Sequence, residues 1–216
     1  MNKIKLLYDV VNTLREKDVL RGVATGQVQK DQAKIFYVKN EFEKNLLTKQ
    51  TKANIATEVD YEGKQVKHQS ITEFTNHCHG GQRHKLFKHM HPGSCGGLKQ
   101  KLTKLTFILH LLNSLKAEEQ SDKTTLVTLE ITELPEDIKA LLQEKMSSTD
   151  SCHNHGPHCF VKELCAIEKG NFSLAMSVNK DNEIEKIVII FEGTQHNEQD
   201  EQHILSINAE LQLNEQ

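Results

Sequence analysis

NFSLAMSVNKDNEIEKIVIIFEG, residues 171–193, is the stretch whose reading decides the fold. Phe172, Leu174, Met176 and Val178 alternate with small or polar residues, the two-residue period of a strand with one covered face. The NKDNE turn then returns the chain into IEKIVIIFEG, which predicts an antiparallel hairpin. IVIIF is apolar at every position, so both of its faces need cover. Either the strand is central in a sheet, or a helix packs on its second side.

Working outward from this hairpin, TTLVTLEIT (124–132) points Val127, Leu129 and Ile131 to one face and predicts another strand, preceded by a polar AEEQSDK turn. Between them, Pro135, Glu136 and Asp137 open a short helix over 135–146, with Lys145 near its negative end. Leu98, Leu102, Leu105, Ile108, Leu109, Leu112 and Leu115 recur at helical spacing, with Phe107 and Leu111 widening the stripe. They predict a central, largely buried helix with His110 at the edge of its packed face.

Earlier in the chain, VATGQVQ, AKIFYVKNEF, ANIATEVDY and QVKHQSITEF read as strands, the last two joined by a tight turn at Tyr61-Glu62-Gly63-Lys64. Ile4, Leu7, Tyr8, Val11 and Leu14 predict an amphipathic helix over residues 3–17. Ile204, Ile207 and Leu211 fit either a weak final helix or a last strand through ILSINAELQL, with a disordered end.

The order of elements predicts an α+β fold: an antiparallel, curved sheet packed against a central apolar helix, with two Cys/His-rich loops. Its architecture resembles that of lipoprotein-carrier-like folds, without a shared motif; by that analogy alone, an apolar ligand would sit between the sheet and helix 98–115. Residues 1–195 are expected to form a single domain, with Cys/His-rich loops at 76–97 and 150–165. Residues 196–216 are expected to be a polar, partly ordered tail.

The chain has 216 residues, 37% of them hydrophobic, and a formal charge of −3. That is enough apolar material for a core and too little net charge to recruit nucleic acid or an anionic membrane through a global field. The amino terminus has charges within its apolar pattern, so no signal peptide or membrane span is expected there, and the location is read as cytoplasmic. Five cysteines are odd in number for a closed disulfide framework and lie among histidines, which favours ligands over staples.

Eight of the twelve histidines and four of the five cysteines fall in the windows 77–95 and 152–159. Thiolate and imidazole suit zinc, and the expected metal ligands are Cys78, His79, His84, His89, His91 and Cys95 in one packet, with Cys152, His155, His158 and Cys159 in the other. Cobalt, nickel, copper and iron accept similar shells, and haem with an axial His or Cys is a minor alternative. His77 and His153 are balanced between ligand and surface. His68, His196 and His203 read as surface residues, and Cys165 as a core residue at least as readily as a ligand.

The function expected from these clusters is transition-metal binding in a structural, sensing or storage role. The partners would be the metal ion and a protein or a second copy of the chain. One alternative is a metal-dependent hydrolase or redox enzyme with an open coordination site. No HExxH, paired carboxylate or phosphate loop supports it, and no catalytic residue can be assigned. Another is an anion-binding or nucleic-acid-binding module using the basic, acid-free 83–104 segment. Few aromatics beyond Phe87 are interleaved there, which weighs against nucleic acid.

Overall fold

The computed structural model describes residues 2–61, 63–75, 106, 108–132, 169–196 and 201–214. After helix α1 (Lys3–Glu16) come β1 (Val19–Lys30), β2 (Ala33–Asn45), β3 (Gln50–Tyr61) and β4 (Lys64–Thr75), then β5 (Lys116–Glu119), β6 (Thr125–Ile131), β7 (Lys169–Val178), β8 (Ile184–His196) and β9 (Gln202–Leu213). A second short helix runs over 108–114. The nine strands of the described residues belong to one antiparallel sheet in the order β4-β3-β2-β1-β9-β8-β7-β6-β5.

Each hairpin has a local cause. Asp31 and Gln32 adopt φ of 49° and 70°, the left-handed pair that lets a two-residue turn follow the twist of β1 and β2. Gly63, at φ 74°, does the same work between β3 and β4. In the β7–β8 turn, Asn179 Oδ1 accepts from the amides of Asp181 and Glu183, replacing backbone partners that the turn cannot supply.

The apolar IVIIF run is resolved as a central strand: β8 lies between β9 and β7. Ile190, on the face turned away from α1, remains 38% exposed. ILSINAELQL forms β9, hydrogen bonded to β1 on one side and β8 on the other. It thereby joins two arms that are each consecutive in sequence. AEEQSDK is not wholly a turn, since Lys116–Glu119 pairs with β6 as the short outer strand β5.

Asn2 caps α1, its side-chain oxygen accepting from the amides of Ile4 and Lys5. The helix buries Leu6 and Val10 against Val127, Met176 and Val178, with Leu7, Leu115, Ala117, Leu174, Ile184 and Ile187 packed around them. Lys3 Nζ donates at 3.0 Å to the carbonyls of Asn113 and Leu115, placing a cation on the negative end of the 108–114 helix.

The expectation of a buried central helix is corrected where that helix is described. Ile108 and Leu109 are 51% and 57% exposed, and His110 is exposed. Leu111, Leu112, Ser114 and Leu115 are half-buried rather than buried, because α1 occupies the core beside β6, β7 and β8. The expected helix over 135–146 lies outside the described residues.

Candidate functional site

Strand registers place every buried strand side chain on the same face of the sheet. Beginning with Val127 under α1, one row crosses Met176, Ile187, Leu211, Ala24, Asn40, Ile55 and Ser70. The next row runs Leu129, Leu174, Ile189, Ala209, Gly26, Val38, Thr57 and His68. Buried Val28, Ala53, Val127, Leu129, Met176, Val178 and Leu205 all share this inner face, as do buried Thr125 and Gln195.

The outer face is of opposite character. It pairs Arg21 with Glu43 at 2.8 Å, Lys39 with Glu41 at 2.7 Å, Lys34 and Lys67 with Glu58 at 3.0 Å, and Lys186 with Glu210 at 2.9 Å. Hydrogen bonds from these cations hold the carboxyls of Glu41, Glu43 and Glu58 below their ordinary range. A single antiparallel sheet with one face that carries the buried residues and one charged, solvated face follows directly from this alternation.

The core under α1 uses the inner face only from β5 to β8. The mostly apolar surface continues across β9, β1 and β2 to β3, with small residues in the middle: Ala24, Gly26 and Ala209. A Cβ on Gly26 would meet Val38 Cγ1 at 3.1 Å, and one on Gly22 would meet the Gln212 carbonyl oxygen at 2.5 Å. Larger neighbours therefore lean over both glycines.

Among the polar residues on this face, Asn40 and Gln195 stand out. Asn40 Oδ1, in the row with Ala24, and Gln195 Oε1, on β8, are both shielded from solvent and have no hydrogen-bond partner among the described residues. Gln195 is only 4% exposed. Its cross-strand neighbour is His203, whose Nδ1 lies 2.7 Å from Asp31 Oδ2. The Ile204 amide donates to Asp31 Oδ1 at 2.9 Å, and that bond, followed by the one to His203, lowers the Asp31 carboxyl from its ordinary range.

A shallow cleft beside the end of α1 encloses about 310 Å³ including its open mouth, with Val10, Leu14, Leu20, Ile184 and Leu213 among its walls. The Lys17–Glu183 ion pair, 2.7 Å long, borders it. Lys17 first, then Asn179, lowers the Glu183 carboxyl.

The reading of this protein as a zinc or other transition-metal protein is corrected on the described residues: no group of three or more His, Cys, Asp or Glu among them is arranged to hold an ion. The metal role, the zinc, cobalt, nickel, copper, iron or haem cofactor and the metal ion as partner go with it. The physical reason is topological. His68 lies on the outermost strand and His203 four strands away, about 19 Å at the ordinary strand spacing, while Glu41, Glu43, Glu58 and Glu210 of the outer face are paired with lysine or arginine. Cys78, His79, His84, His89, His91, Cys95, Cys152, His155, His158 and Cys159 lie outside the described residues, as does the basic 83–104 segment.

Sequence reading missed Asp31, Asn40, Gln195 and His203. His203 had the look of a surface residue in a polar tail, yet its side chain is 22% exposed and paired with Asp31. The alternation in ILSINAELQL was the available signal, since extending it back by one residue puts His203 on the face of Leu205. Among the described residues no helix is long and apolar enough to cross a membrane.

No known protein family and no curated protein matches the chain. Among solved structures, it is similar to an N-terminal dehydratase from the difficidin assembly line, at 10% identity, a TM-score of 0.16 and coverage of 99% of this chain and 84% of that one. A bifunctional dehydratase-cyclase domain in ambruticin biosynthesis gives 10% identity, a TM-score of 0.15 and coverage of 97% and 79%. TM-scores of this size show no common fold.

Proposed function

We propose that this chain is a binding protein for an apolar, chain-like ligand that lies on the inner face of the sheet across β9, β1, β2 and β3. The observation that supports this reading most is the continuation of a single apolar face well past the core that α1 completes. Ala24 and Ala209 keep the side chains in the middle of this face short, which favours a chain-like ligand lying along it. Sites of this kind are mostly apolar with a few placed polar groups that orient the ligand.

Asn40 supports a more definite ligand class. Its buried, unpartnered Oδ1 carries a desolvation cost of about 1–3 kcal/mol that a ligand hydroxyl or amide N–H would relieve. The ligand is therefore an amphiphile bearing a hydrogen-bond donor beside Ala24, such as a fatty alcohol or acyl amide. Bulges at Val28/Gln29 and Ser177/Val178 support a curved sheet, since an extra residue bends the strand that carries it. An odd number of thiols supports a cytoplasmic setting for such a carrier.

Titration of the purified, delipidated chain with a fluorescent long-chain alcohol tests the proposal. Saturable binding near one equivalent is expected, weakened at least roughly tenfold by Ala24→Phe, which fills the floor. Absence of saturable binding, or binding unchanged in a folded A24F variant, refutes it.

A further inference from the structure

The two outer strands of the sheet are built very differently. β5 is four residues long with the sequence KAEE, short and charged as outer strands usually are. β4 is twelve residues long, contains neither proline nor glycine, and pairs with β3 over its whole length without a bulge. Eleven of its twelve residues are exposed, including Val66 at 59%, Ile71 at 82% and Phe74 at 46%. Such a strand presents a straight row of backbone donors and acceptors along its outer edge.

We propose that β4 is a self-association edge, pairing antiparallel with β4 of a second copy about a twofold axis at Ser70. A twofold pairing of identical antiparallel strands is self-complementary only if each residue opposite its mate suits it. Centred on Ser70, Lys67 faces Glu73 of the second copy twice over, on the outer face. Val66 faces Phe74 twice over on the inner face. Ile71 lies diagonal to its own mate across the axis, within reach of it.

Neighbouring registers lose this match. Centred on residue 69, Lys67 would face Ile71 and Val66 would face Thr72. Centred on residue 71, Phe74 would face His68 and Lys67 would face Thr75. The Ser70 register also pairs residues 65–75 in full, nearly the whole strand. Lys67 and Glu73 are 62% and 53% exposed, and their contacts among the described residues, Lys67 to Glu58 and Glu73 to Lys52 and Gln50, lie at the surface, so a second partner is accessible to both. The axis runs through the sheet from face to face, so the inner faces of the two copies lie on the same side and become continuous.

Sedimentation equilibrium of the full chain over roughly 1 µM to 1 mM tests this independently of ligand binding. A reversible dimer is expected. K67E sets two acids opposite each other in its own dimer and E73K sets two lysines opposite each other, so each alone should dimerise at least roughly tenfold more weakly. Mixed together they should recover wild-type association, because the heterodimer has opposite charges at both contacts. I71K, at an exposed position that leaves the fold intact by its melting curve, should also weaken the dimer. A monomer over the whole range, a dimer indifferent to I71K, or singles that fail to recover on mixing overturns the proposal.

Discussion

Truncating Leu205 to alanine tests whether β9 is the strand that completes the sheet. Leu205 is fully buried on the inner face. Its neighbour Ile204 is 58% exposed on the outer face. Both sit on the same strand, and the bonds that anchor this point use backbone atoms of Ile204 and the Asp31 carboxylate, which neither truncation removes. The pair of variants therefore isolates side-chain burial.

Leu205→Ala removes three carbons, about 2.4 kcal/mol of transfer free energy at roughly 0.8 per carbon. The cavity left behind raises the expected loss to about 3–5 kcal/mol. Ile204→Ala should stay within about 0.5–1 kcal/mol, since most of that side chain is already in water. With a urea slope of about 2–3 kcal/mol/M for a chain of this size, the midpoint of L205A should fall by roughly 1–2 M. Urea unfolding followed by circular dichroism reads both. Equal losses in the two variants, or a loss under about 1 kcal/mol for L205A, would falsify the inner-face assignment and the place of β9 in the core.

Replacing Gln195 by methionine removes a buried, unpaired carbonyl oxygen at similar volume, so the melting temperature of ligand-free protein should hold or rise; a loss exceeding about 1 kcal/mol would show that the amide has a structural partner. Asp31 has a lowered carboxyl pKa, so its contribution is present above the ordinary carboxylate pKa and disappears as pH falls through the lowered one. Wild type should therefore exceed Asp31→Asn in thermal stability at neutral pH, by tenths of a kcal/mol at this half-exposed site, and the difference should vanish in acid; a gap that persists unchanged at pH 2 contradicts this linkage.

Much of the sheet was legible because a strand writes its own period. Val127, Leu129 and Ile131, then Phe172, Leu174, Met176 and Val178, alternate in sequence and share a face in the fold. The 3–17 helix was legible for the same reason at a different period, and ends one residue sooner. The 98–115 stripe misled in its described part because helical spacing tells which residues lie together, not what covers them. Ala117, Glu118 and Glu119 were read as turn since a four-residue strand is too short to show a period. The candidate site was least legible. Asn40 and Gln195 are ordinary polar residues in sequence, and their burial depends on which face their strands turn inward.

The sequence by itself determined the period of each element, the positions of turns at residues such as Gly63 and Asn182, and the sorting of apolar and charged residues into two faces. These are local matters, set by backbone dihedrals and by which side chains favour water. Only the tertiary structure decided that β9 enters between β1 and β8, that the two arms form one sheet, and that β4 is left as a long outer strand. Strand partners are chosen by hydrogen bonds between segments remote in sequence, and each candidate strand carries the same backbone groups. The choice rests on which arrangement buries all the apolar faces on one side together, a property no single segment possesses.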